Sequence, residues 1–118
     1  MAARSHALRL ADIVEAIERI RAVLGDMPLD VFEADWQRQW LVERGVEIIS
    51  EASRHLPDEL KARHSHIPWE KVAGIGNILR HNYENIAAPV MWKLAREDLS
   101  DLEIACREEL TEEQRRRN

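Results

Sequence analysis

Apolar residues recur along this chain at steps of three and four, the spacing of helices with one buried face. In "LRLADIVEAIERIRAVL", residues 8–24, Leu10, Ile13, Val14, Ile17, Ile20 and Leu24 fall on one stripe. "GDMPLD" breaks that pattern, with Gly25 at the stop and Pro28 just beyond. A second, longer pattern runs from about Val31 to Leu56 and is closed by Pro57; Leu41, Val42, Val46, Ile48, Ile49 and Ala52 carry it. "DELKARHSHIP" is polar and reads as a connector with one short turn. Pro68 fits the first turn of a third helix reaching about Ala87, because the N–H that proline lacks would have no intrahelical partner there. Pro89 interrupts, and "VMWKLAREDLSDLEIACREEL" supplies a fourth stretch, bent near Ser100. The tail from Thr111 to Asn118, "TEEQRRRN", is charged and expected to fray. No alternating strand pattern, internal repeat or low-complexity segment interrupts this series. The pattern predicts four helices with short connections, an all-α bundle in one domain, residues 1–118.

Composition narrows the function classes. The 118 residues suit one domain, and 45% hydrophobic against 33% charged residues predicts a compact core under a charged surface. The net charge is −5, from 22 acidic and 17 basic residues. That argues against a protein that coats nucleic acid broadly, since such binding rests on phosphate neutralisation. It leaves room for an enzyme that grips a few phosphates. No apolar run reaches the roughly 20 residues needed to cross a bilayer, so no membrane role is expected. "MAARSHALRL" lacks the apolar centre of a signal peptide. A single cysteine, Cys106, offers neither an internal disulfide nor a metal cluster. A cytoplasmic protein without a cofactor is the expectation.

The densest chemistry lies in "GIGNILRHNYENI", residues 74–86. On a helix, Asn77, His81 and Asn85 share one face, while Gly76, Arg80 and Tyr83 share another. His81 could move protons near neutrality, Arg80 could grip a phosphate through its planar fork, and the Tyr83 phenol could accept a transferred group. The competing reading makes His81 a hydrogen-bonded core residue, Arg80 a solvated charge and Tyr83 packing. Gly74 and Gly76 each cost a helix roughly 1 kcal/mol against alanine, which points to close approach of another backbone or subunit.

Other groups carry blander readings. His64 and His66 in "RHSHIP" lack a third metal ligand at any familiar spacing and are read as a solvated connector. Arg44, Glu47, Glu51 and Arg54 resemble the charge pairing of an exposed helix face, although Glu47 and Glu51 could also present two carboxylates together. Trp36 and Trp40 are read as core or interface, and Cys106 as a buried apolar residue.

Four stretches together resemble the HepT-like family, the HEPN-type toxins paired with small nucleotidyltransferase antitoxins of the MntA kind. They are "LRLADIVEAIERI", "VEIISEASRHLPDEL", "HIPWEKVAGIGNILRHNY" and "VMWKLAREDLSDLE", in that order, spanning about residues 8–104. The resemblance implies a HEPN-type antiparallel helical bundle that forms a two-fold homodimer, with the motif helices meeting across the interface. It further implies a metal-independent ribonuclease acting on RNA, tRNA or mRNA, and leaving a 2′,3′-cyclic phosphate. The antitoxin is implied to transfer AMP to the motif tyrosine and silence the site. The motif's polar residue matches Asn77, its histidine His81 and its tyrosine Tyr83. Its arginine, just over one turn before the histidine, falls on Gly76, and none of residues 74–79 is arginine. Arg80 stands one turn from Gly76 on the same face and takes the role of the displaced cation. Two alternatives stay open: a degenerate partner protein that keeps Tyr83 without cleaving RNA, and a nucleotide-binding helical module.

Overall fold

The computed structural model describes residues 2–81 and 87–117, and the side chains of 6–77 and 88–117. Among these residues there are helices and no strands. Helix α1, Ala2–Leu24, buries Leu10, Ile13, Ile17 and Ile20 almost completely, along the stripe that the three-and-four spacing predicts. Gly25 ends it at φ +51, and its N–H donates to the carbonyl of Arg21 at 2.8 Å. Glycine takes that left-handed conformation without a Cβ penalty.

The long second pattern is two helices rather than one. A short α2, Leu29–Glu33, precedes α3, Trp36–Arg54. Asp35 separates them: its φ of −114 and ψ of 85 leave the helical region, and its carboxylate accepts the N–H of Arg38 at 3.0 Å. This N-cap gives a partner to a donor that α3 would otherwise leave unpaired, so two apolar runs of one period meet at a corner. Phe32 of α2 is fully buried.

After Pro57, α4 spans Asp58–Arg63, the one short turn expected in the connector. Helix α5, Trp69–His81, follows Pro68, whose carbonyl accepts the N–H of Val72 at 3.0 Å. Residues 82–86, into which the third helix was expected to continue, lie outside the described residues. Helix α6, Ala87–Lys93, contains Pro89. Pro89 is therefore part of a helix rather than a break between two. A π-helical turn, Leu94–Asp98, joins α6 to α7, Leu99–Arg117, so the irregularity expected near Ser100 lies one turn earlier. Trp92 donates its indole N–H to the Met27 carbonyl at 2.9 Å, and Arg96 donates to the same carbonyl at 2.7 Å. Those bonds fasten the π-turn to the loop after α1.

The charged tail is helical as far as the described residues go. Helix α7 continues to Arg117, with Arg115 on Glu112 and Arg116 on Glu113, each at 3.1 Å. Glu113 also meets His6 of α1 at 2.9 Å and is buried. A long-range contact of this kind is invisible to local composition.

Four long helices make the bundle: α1, α3, α5 and α7. Helix α3 packs against both α1 and α5, and α7 closes the other side of α1. Gly45 lets α1 and α3 approach, since a Cβ there would lie 2.7 Å from Ile20 Cγ1 and 2.9 Å from Cδ1. A Cβ added at Gly74 would have nothing within 4 Å among the described residues of the chain. Among the described residues no helix is long and apolar enough to cross a membrane.

Candidate functional site

The motif helix α5 lies on the open edge of α3, and two α3 side chains hold it there. Ser50 donates its hydroxyl to the Ala73 carbonyl at 2.6 Å. Arg54 reaches the same oxygen through Nε at 3.2 Å and a terminal nitrogen at 2.8 Å. A helical carbonyl points toward its own C-terminus, so the Ala73 oxygen lies level with the next turn, where Gly76 stands. Gly76 is buried, and Asn77 beside it is exposed. Arg80 and His81 follow in the last turn of α5; their side chains lie outside the described residues, as does Tyr83 altogether.

A cleft of about 180 Å³ opens between the two helices, lined by Arg44, Glu47, Ser50, Glu51, Arg54 and Gly76. The four charged residues do pair along α3, as their spacing predicts. Arg54 stands 3.6 Å from Glu51, and Arg44 stands 3.9 Å from Glu47. His55 meets Glu51 at 2.8 Å. That hydrogen bond, with the charges of His55 and Arg54, holds the Glu51 carboxyl below its ordinary range against the opposing effect of desolvation. Glu43, one turn before Glu47, is pushed the other way by burial and by the Glu47 charge. The periodicity thus predicts the pairing, but not that the paired face borders the motif helix. Ser50 was missed altogether, because a serine in a helix carries no distinguishing local signal.

The other sequence candidates separate clearly. His64 is not in a solvated connector: it is buried and meets Glu109 of α7 at 2.7 Å. Arg63 forks onto the same carboxylate at 3.0 and 2.8 Å. The Arg63 hydrogen bonds, and then that of His64, keep Glu109 below its ordinary range despite burial. His66 is exposed. Trp36 and Trp40 are not core residues; they are 58% and 68% exposed and stack edge-to-face at 5.0 Å. Cys106 is buried as expected, and burial followed by the Glu109 charge pushes its thiol up to about 12.

A family model described as ribonuclease HepT-like matches residues 13–109, from the middle of α1 through the motif helix into α7. The chain belongs to the ribonuclease HepT-like family. It is 38% identical over 99 residues to a Thermococcus cleftensis protein described as "Probable ribonuclease HepT", covering 84% of this chain and 90% of that one. It is 31% identical over 90 residues to a Methanocaldococcus jannaschii protein described as "Putative RNase", covering 76% and 83%. No solved structure gives a significant match. The HepT-like match accounts for the all-helical architecture and includes every residue of the candidate site, with Gly76 at the place where the resemblance puts the motif arginine.

Proposed function

We propose that this HepT-like protein is the toxin of a toxin–antitoxin pair: a metal-independent endoribonuclease of the cytoplasm, working as a homodimer. The observation that carries the reading is the family match over residues 13–109, together with relatives described as ribonucleases that align along most of their length. In the reaction, the ribose 2′-oxygen attacks the adjacent phosphorus and the P–O5′ bond breaks. The products are a 2′,3′-cyclic phosphate and a 5′-hydroxyl. His81 takes the 2′-OH proton or delivers one to the departing O5′. Arg80 offsets the charge that builds on the phosphate oxygens, an electrostatic contribution that is often the largest in such reactions. Asn77, exposed on α5, orients the phosphate or His81. A nucleotidyltransferase antitoxin silences the site by placing AMP on Tyr83, which sets a competing phosphate near Arg80.

Cleavage of a labelled tRNA pool, with chelator present, tests this. Cleavage by the purified protein that is lost in His81→Ala and in Arg80→Ala supports the assignment. Activity surviving His81→Ala would overturn it. Gly76 at the motif-arginine position favours one second reading, a degenerate partner that retains Tyr83 as a substrate. That reading predicts no cleavage by protein of unmodified mass, but a gain of one AMP on incubation with the nucleotidyltransferase and ATP, abolished by Tyr83→Phe.

A further inference from the structure

The cleft at Gly76 places two arginines of α3 beside the motif helix, and their commitments differ. Arg54 is engaged twice by the Ala73 carbonyl and stands near Glu51, so its guanidinium works as a clamp between helices. Arg44 has 73% of its side chain exposed, and among the described residues its one ionic neighbour is Glu47, at 3.9 Å. That distance is too long for a hydrogen bond. Among the described residues, Arg44 therefore keeps its planar fork of donors available at the mouth of a cleft whose lining from α5 is Gly76.

We propose that Arg44, reaching from α3 across the cleft beside Gly76, grips the scissile RNA phosphate as a second cation beside Arg80, at the place where position 76 of the motif helix carries none. This rests on the ribonuclease reading above and extends its site from α5 to α3. Arginine suits the task because its fork matches two phosphate oxygens at once. Glycine at 76 suits it as well, since no side chain there stands between the guanidinium and the backbone of α5. The formal charges of Arg44, Arg54, Glu47 and Glu51 cancel among themselves. Binding depends on the directed contact from Arg44, with Glu47 moving aside from a pairing that is already loose.

The experiment compares the intact protein with Arg44→Ala, Arg44→Lys and the double variant Arg44→Ala/Gly76→Arg on a labelled single-stranded RNA. Cleavage is read as kcat and KM. Dissociation constants are read against salt concentration in the His81→Ala background. Arg44→Ala should lower kcat/KM by about 10²-fold, the scale of losing one donor to a charged transition state. Its melting temperature should be unchanged, and Arg44→Lys should recover part of the loss. An arginine restored at position 76 should recover activity, which a merely structural role of Arg44 would not allow. The slope of log affinity against log salt should fall by about 0.7, one phosphate contact on a single strand. Cleavage by the intact protein that Arg44→Ala changes less than about threefold, well short of the loss of one such donor, would overturn the inference while leaving the ribonuclease reading intact. If the intact protein does not cleave, the ribonuclease reading fails and the salt slope decides. A reduced slope in Arg44→Ala upholds the phosphate contact, and an unchanged slope or no RNA binding removes it. The slope also decides should the double variant fail to fold.

Discussion

At the scale of single residues, burial and partnership separate groups that look alike in the sequence. His64 and His66 stand two positions apart, yet His64 faces the Glu109 carboxylate inside the molecule and His66 faces water. Cys106 is one residue whose chemistry the apolar period does predict. Its thiol, pushed up to about 12 by burial and by Glu109, should be inert to thiol reagents at about pH 8 in the native protein. Labelling should appear only in denaturant, following the unfolding transition; rapid labelling of native protein would contradict the buried placement. The side-chain types in "NILRHNY" that could do chemistry are visible from residue identity alone. That Gly76, just before them, shares a wall with Arg44, Glu47 and Ser50 is not, because those residues lie more than twenty positions away in the chain.

At the scale of elements, helix existence follows from apolar period, while helix ends follow from specific contacts. The corner at Asp35 splits one apolar run into two helices through a single cap. Asp35→Ala should lower the melting temperature by a few degrees and fray the start of α3, which hydrogen exchange at residues 36–38 would report. The opposite test lies at Gly45, where α1 and α3 touch. Alanine there gains helix propensity of up to about 1 kcal/mol but drives its Cβ into the buried Ile20 side chain. Overpacking of this kind costs about 1–3 kcal/mol, so the net effect on unfolding should be destabilising. A Gly45→Ala protein that melts higher than the parent would show that Ile20 has room to move. Pro89 teaches the same lesson in reverse: a residue that reads as a break lies inside a helix.

At the scale of the molecule, α7 is fastened to distant parts of the chain by carboxylates that sit low on the pH scale. Glu109 binds Arg63 and His64 of the α4 region. Glu103 is partly buried, which raises its carboxyl, but hydrogen bonds from Arg21 and then Arg107 more than reverse this. Both groups have folded-state values below the ordinary 4.5. Their contribution to stability is therefore complete above that value and is lost as pH falls through the folded-state values. Chemical denaturation should show stability falling steeply below about pH 4.5, with a shallower fall in Glu109→Gln. That variant should also be less stable at neutral pH, by about 1–3 kcal/mol, because Arg63 and His64 lose an ionised partner. An equal slope in parent and variant would mean that Glu109 does not couple folding to protons.

The helical class, the core stripe of α1, the buried cysteine and the family are all legible in the amino-acid order. Each is encoded within a few turns of chain, by period, by glycine and proline chemistry, or by contiguous motif. Three outcomes required the folded chain: the paired charges of α3 border Gly76, His64 is an interior group held by Glu109, and the last charged turn is helical. They depend on contacts between residues far apart in the chain. A local pattern of charge looks the same whether it faces water, another helix or a cleft.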